Sequence, residues 1–334
     1  MMRVFGATRR HVVGFISRTI RSVRKIHGDS EENIRFYKSR GQHILINPRI
    51  LNDIVRSSAI NPTDTVLEIG PGTGNLTVKL LQAAHKVIAV ELDHRMVDVL
   101  DKRVLHHGLS SKLKVIRGDA LRTKFPHFDT VVANIPYGIS SPLVIKLVYG
   151  AIRFRSATLM LQKEFATRLL ANPGDSEFNR LALNVKLLAD VEFVMDVSKR
   201  DFLPCPKVDS SVVIIRPKDQ VPDVDLREWR AFTRTCFNTK NKTLGATFKH
   251  KRKVMELLKL SNADEDKGKC QSFKEKIVGV LKTGGFEDKR PSKLSVEDLL
   301  HLLSLFNEAG IYFNESGKLR SEEDRLGIDN DDNN

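Results

Sequence analysis

The sequence predicts an α/β fold: a doubly wound, mainly parallel sheet followed by a smaller helical domain. Three observations predict it. Short β-rich runs alternate with amphipathic helical stretches from Thr65 to Pro217. A Gly-rich turn joins the first run to the first helix. After Pro217 the alternation stops, and long polar and basic helical stretches follow.

Taken in order, "TVLEIG" (65–70) is the first strand and "NLTVKLLQAA" the helix after its turn. "KVIAVEL" and "HRMVDVLDKRV" form the next strand and helix. "KLKVIRGD" and "DTVVAN" are the third and fourth strands, and "ATLMLQ" is the fifth, leading into the helix "KEFATRLL". "EFNRLALNVKLLA" is another helix. "VEFVMDV" and "SSVVIIRP" close the sheet as a pair that suits an antiparallel addition. Beyond them "DLREWRAFTRTCF", "FKHKRKVMELLKL" and "SVEDLLHLLSLFNEAG" read as helices. The expected organisation is a leader over 1–28, a sheet domain over 29–218, a helical domain over 219–314 and an acidic tail over 315–334. The tail is too poor in apolar residues to build a core.

No run approaches the roughly 18 apolar residues of a membrane span, so a soluble protein with no membrane partner is expected. Lys and Arg number 55 against 41 acids, a net charge of +14. A polyanionic partner, nucleic acid first, suits that balance; a merely basic soluble protein suits it too. Seven of the cations (Arg3, Arg9, Arg10, Arg18, Arg21, Arg24 and Lys25) precede the first acid, Asp29. Arg-rich, acid-free and amphipathic is the composition of a mitochondrial transit peptide, which predicts the matrix. A disordered basic arm that contacts RNA or directs nuclear import, with residence in the nucleolus, is the alternative. Cys205, Cys236 and Cys270 are widely spaced, with no CxxC and no paired His. That argues against a disulfide framework and structural zinc, and no metal is expected.

The turn "EIGPGTGNLT" sets Gly70, Gly72 and Gly74 between a strand and a helix, where a ligand can approach the backbone closely. The spacing is GxGxG, which weakens a pyrophosphate-binding reading. Glu91 ends the second strand, where an acid can accept both hydroxyls of a ribose. Asp119 ends the third strand and can accept from an adenine amine. One ligand then spans three strand ends with ribose and adenine but no required phosphate, and S-adenosylmethionine fits that description. Ordinary strand-end or capping acids are the plainer reading of Glu91 and Asp119.

The fourth strand ends in Asn134-Ile-Pro-Tyr137. An adenine exocyclic amine is a poor nucleophile, because its lone pair is delocalised into the ring. The Asn134 side-chain carbonyl and the Ile135 backbone carbonyl can accept its two hydrogens and free that lone pair. Pro136 fixes the turn and restricts the residue before it. Tyr137 offers a flat face for an extruded base. A strand-ending turn, in which Asn and Pro are common, is the plainer alternative.

The segments "GQHIL", "EIGPGTGNLT", "VELD", "GDAL", "NIPYGISSP", "LQKEFATRL" and "FLPCPKVDSSVV" resemble the rRNA adenine N,N-dimethyltransferase family, the KsgA-like and Dim-like enzymes. The likeness runs from about Phe36 to about Phe313, and the later pieces look like the eukaryotic branch. It implies a Rossmann-like class I methyltransferase sheet and S-adenosylmethionine as methyl donor. It also implies two adjacent adenines as target, in a hairpin loop near the 3′ end of small-subunit rRNA, each receiving two methyls. The partner would be the pre-ribosomal small subunit, with the enzyme a monomer. By motif matching, the cofactor contacts would be His43, Leu45, Gly70, Gly72, Glu91, Asp119 and Asn134, with Asn134 and Tyr137 catalytic at the target base. The chain departs from the pattern at Ala182 (usually Ser), at Gly138 (often Asn or Gln) and at His43 (Asn in bacterial members). A non-catalytic nucleic-acid-binding factor on the same scaffold, in transcription or ribosome assembly, is the alternative, and a DNA adenine methylase is a third reading. The basic run "NTKNKTLGATFKHKRK", with Lys240, Lys242, Lys249, Lys251, Arg252 and Lys253, is expected to grip the RNA backbone.

Overall fold

The computed structural model describes residues 42–260 and 267–314, so the expected leader and acidic tail lie outside the described residues. A short strand, β1 (Ile44–Leu45), precedes α1 (Pro48–Ser57). The alternating part follows as β2 (Thr65–Ile69), α2 (Asn75–Ala83), β3 (Lys86–Glu91), α3 (His94–His106), β4 (Leu113–Arg117), β5 (Thr130–Asn134), α4 (Ser140–Val148), β6 (Ser156–Gln162) and α5 (Lys163–Leu170). Next come α6 (Arg180–Leu188), β7 (Ala189–Val197), β8 (Phe202–Leu203) and β9 (Ser210–Pro217). Helices α7 (Leu226–Phe237), α8 (Leu244–Phe248), α9 (Lys251–Leu260), α10 (Lys267–Thr283) and α11 (Val296–Glu308) complete the described chain.

The seven strands expected between Thr65 and Pro217 form one sheet in the order β4-β3-β2-β5-β6-β9-β7. The first five run parallel. The closing pair is antiparallel, β9 against β6 and β7 against β9, with a bulge in β7 between Phe193 and Met195. The strands read as apolar runs because both faces are covered. Leu67 and Ile69 of β2 pack under α4 and α5, with Leu143 and Phe165. Val66 packs on the opposite side under α1, α2 and α3, with Ile54, Leu80 and Leu100. From β2 the chain winds one way into β3 and β4, and later the other way into β5 and β6. The helices that follow β2 and β5 therefore leave on opposite faces. A crevice opens at the carboxyl ends of these two strands, the place where doubly wound sheets bind ligands.

Three local differences from the sequence reading have physical causes. Residues 140–148, for which the sequence reading named no element, form α4; Pro142 sits in its first turn, where a missing N–H costs nothing. The helix expected from Glu177 starts at Arg180, because the Asn179 side chain accepts from Ala182 N and caps it there. The stretch 248–260, read as one helix, breaks at Lys249–His250. Phe248 turns into an aromatic cluster with Phe306 and Phe313, while α9 buries Val254, Leu257 and Leu258. The helical layer shares its core with the sheet region: Phe178, Leu183 and Leu187 pack in the same cluster as Trp229, Phe232 and Phe306. The proposed division at residue 219 thus runs beside a common core.

Candidate active site

The crevice at the carboxyl ends of β2, β3 and β5 is a cavity of about 380 Å³. Every site residue named from the sequence lines it: His43, Leu45, Gly70, Gly72, Glu91, Asp119, Asn134 and Tyr137. Its floor is the turn between β2 and α2. Gly72 has φ +55°, and a Cβ there would lie 2.7 Å from Ile44 Cδ1. Gly74 has φ +84°, and a Cβ there would lie 2.6 Å from Leu100 Cδ1. Both positions need glycine, for the left-handed backbone and for the close approach.

The chain before α1 crosses the cavity as a strap. β1 pairs antiparallel with β8, Ile44 opposite Leu203. The strap is tied on several sides: Ile46 N donates to Asp201 O at 2.9 Å, and Asn75 Nδ2 donates to Leu45 O at 2.8 Å. Arg103 in turn donates to Asn75 Oδ1. His43 Nδ1 lies 2.8 Å from the Pro204 carbonyl. A carbonyl only accepts, so Nδ1 carries the proton.

This strap decides how Asn134 is presented. Asn134 Nδ2 donates to the His43 carbonyl at 3.2 Å. The same one-way logic fixes the amide: its NH₂ faces the strap and its oxygen faces away from it, as an acceptor. Tyr137 follows in a 3₁₀ turn, Tyr137–Ile139, that runs into α4. Its ring lies 6.0 Å from the His43 ring at an interplanar angle of 25°, and its hydroxyl is anchored 2.9 Å from Ser210 Oγ on β9. Burial raises the phenol pKa, so Tyr137 is a neutral surface at physiological pH and not a base.

The acids at the other strand ends are held by backbone donors. Glu91 Oε1 accepts from Asp93 N at 2.9 Å and Oε2 from Gly72 N at 3.2 Å. Each carboxylate oxygen keeps a second acceptor position, the number two ribose hydroxyls require. Burial raises the Glu91 pKa, and the backbone bonds oppose that shift. Asp119 Oδ1 accepts from Leu121 N at 2.9 Å, which folds the residues after β4 into a turn.

Sequence reasoning missed Glu68, Asp93 and Gln42, which also line the cavity. Gln42 Nε2 donates to Asp93 Oδ2 at 2.9 Å. The hydrogen-bonded Arg95 side chain holds the Asp93 carboxyl well below the usual range. Glu68 is 1% exposed, with no partner for Oε2 among the described residues, and burial pushes its carboxyl up to about 8. The signal was present: an acid inside the otherwise apolar strand "TVLEI" is the unusual feature to ask about. The glycine cradle, the hydroxyl acceptors and the acid-rich walls fit S-adenosylmethionine, a cation with a ribose and no phosphate.

The sequence pattern of the ribosomal RNA adenine dimethylase family matches residues 33–271. The chain belongs to this family. It is 59% identical to the "Ribosomal RNA small subunit methyltransferase, mitochondrial" of Arabidopsis thaliana, over 90% of this chain and 87% of that one. A second Arabidopsis protein, "Ribosomal RNA small subunit methyltransferase", is 47% identical over 84% and 93% of the two chains. Among solved structures it is similar to a dimethyladenosine transferase from Plasmodium falciparum, with TM-score 0.74 and 44% identity over 81% of this chain and all of that one. As an rRNA adenine dimethylase the chain is an S-adenosylmethionine-dependent methyltransferase, on the Rossmann-like sheet that the family resemblance implied.

The basic run proposed for this dimethylase's RNA contact divides in two. Lys240 Nζ donates to Ser176 O at 2.9 Å, Lys249 pairs with Glu287, and Lys253 pairs with Glu256 at 2.7 Å. Lys242, Lys251 and Arg252 are exposed.

Two predictions follow from the acids. Glu91→Ala leaves two hydroxyls without their acceptor, and cofactor affinity by calorimetry should fall by about 1–3 kcal/mol, as for hydrogen bonds to a charged group; unchanged affinity in the folded variant removes Glu91 from the site. Glu68 gives a pH signature. Its folded pKa, about 8, lies above its ordinary value of 4.5. The folded state therefore binds the extra proton, so its contribution to stability is full below the ordinary value and is lost as pH rises toward 8. Glu68→Gln should flatten that fall in melting temperature; an identical pH profile in the two proteins contradicts a buried neutral Glu68.

Proposed function

We propose that this enzyme dimethylates the exocyclic amines of two adjacent adenines in a hairpin loop near the 3′ end of the mitochondrial small-subunit rRNA. It acts in the matrix, as a monomer, during small-subunit biogenesis. The observation that carries the chemistry is the fixed amide of Asn134, whose oxygen is left as an acceptor at the lip of the cavity.

S-adenosylmethionine supplies an electrophilic methyl group on a sulfonium. Glu91 would accept its ribose hydroxyls and Asp119 its adenine amine, and the turn at Gly70–Gly74 would let it approach the backbone. Asn134 Oδ1 and the Ile135 carbonyl accept the two hydrogens of the target amine. That draws the nitrogen toward tetrahedral geometry and frees its lone pair for in-line attack. The amine loses its proton after transfer, so no strong base is required. Most of the catalysis is positioning. Tyr137, held by Ser210, provides the stacking face for a base taken out of its helix. Exposed Lys242, Lys251 and Arg252 supply charge to the RNA backbone without reading sequence.

The compartment is supported by two observations. The composition of residues 1–28 is that of a transit peptide, and the relative at 59% identity carries "mitochondrial" in its name, whereas the one at 47% does not. Dimethylated adenines stop reverse transcriptase, which gives the test. In cells lacking the protein, two adjacent stops near the 3′ end of the mitochondrial small-subunit rRNA should disappear, and the same stops in cytosolic rRNA should remain. Loss from the cytosolic rRNA instead would assign the enzyme to the nucleolus. Stops retained in both would contradict methylation by this chain.

A further inference from the structure

Lys146 lies outside the cavity, half-buried on α4, and nothing in the chemistry above uses it. Its surroundings are unusual for a lysine. Nζ donates to the backbone carbonyls of Ala120 at 2.8 Å, Leu121 at 2.9 Å and Thr123 at 2.7 Å. The ammonium also sits 4.3 Å from the centre of the Phe125 ring. An ammonium has three N–H groups, and all three are committed to one turn. That turn begins at Asp119, whose carboxylate accepts from Leu121 N and whose own carbonyl accepts from Thr123 N at 2.8 Å. Three carbonyl dipoles converging on one point repel each other, so the turn needs a cation to hold this shape. Burial lowers the Lys146 pKa and the nearby Asp119 charge raises it, so the ammonium and this carboxylate share one field.

The two ends of Lys146 belong to different halves of the reaction. α4 grows directly out of the Tyr137–Ile139 turn, next to Asn134. The 119–123 turn carries the proposed acceptor for the cofactor's adenine. We propose that Lys146 is a positioning residue for the cofactor site. By filling the 119–123 turn it fixes the direction of the Asp119 carboxylate and ties that turn to the helix that follows the catalytic segment. The inference rests on the reading of Asp119 as the adenine acceptor.

The test is a thermodynamic cycle on the full chain, with S-adenosylmethionine affinity measured by calorimetry and folding checked by thermal melting. Lys146→Met keeps the apolar stem and removes every donor. It should weaken binding about tenfold, the scale of a lost hydrogen bond to a charged group. Asp119→Ala should weaken it by a similar factor. The double variant should bind no more weakly than Asp119→Ala alone, because Lys146 acts through Asp119. If Lys146→Met lowers the melting temperature yet binds like wild type, or if the two losses multiply, Lys146 is a structural staple only and the inference is overturned. An Asp119→Ala protein that binds like wild type overturns the assignment of Asp119 and the inference with it, whatever Lys146→Met does. Should Lys146→Met not fold, Lys146→Gln keeps two uncharged N–H donors on a shorter stem and runs the same cycle, with an intermediate loss expected and multiplying losses again fatal.

Discussion

The point where the sheet changes its winding direction governs everything else in this enzyme. β2 has β3 on one side and β5 on the other, and α2 and α4 leave on opposite faces. A crevice between them follows from the topology itself. The strand ends then deliver their chemistry to one place: the glycine turn from β2, Glu91 from β3 and Asn134 from β5, with Asp119 just beyond β4. The helical layer contributes none of the named cavity residues. Its core is shared with α6, and the strap residues His43, Ile44 and Leu45 line the crevice instead.

Electrostatics then narrows what the crevice can hold. Its walls carry Glu68, Glu91, Asp93 and Asp119, and no lysine or arginine lines it among the described residues. Such a wall repels a phosphate and attracts a cation. Arg95 neutralises Asp93 from outside, and Glu68 stays protonated by burial, so the site avoids crowding every negative charge together. Glu91 remains the acid with backbone donors on both oxygens and acceptor positions to spare. The basic charge of the chain lies elsewhere, on exposed surface, where an RNA backbone can use it. In the proposed function, cofactor and nucleic acid are thus separated by sign of charge.

Much of this was legible in the sequence because it is local. A strand buried on both faces reads as an apolar run, and a GxGxG turn reads as a backbone that must approach something. Strand-end acids and the Asn-Ile-Pro-Tyr segment stand next to those runs. What could not be read is long-range. The strap residues His43 and Leu45 were reached only through family resemblance, since the bond from Asn134 to His43 spans 91 positions and that from His43 to Pro204 spans 161. Helix α4 was hidden by Pro142, which reads as a breaker yet costs nothing in a first turn. The roles within the basic run could not be read either, because charge composition cannot tell an exposed lysine such as Lys242 from Lys240 or Lys249, which also bond within the fold.

The central claim is that the strap turns the Asn134 oxygen toward the reacting amine. Single-turnover methyl transfer from labelled S-adenosylmethionine to small-subunit rRNA particles tests it most directly, comparing wild type with Asn134→Ala at saturating cofactor. A fall on the order of 100-fold in the transfer rate is expected, the scale seen when a preorganised hydrogen-bonding group at a reacting centre is removed, with RNA affinity little changed. Equal rates in the two proteins would contradict a catalytic role for Asn134.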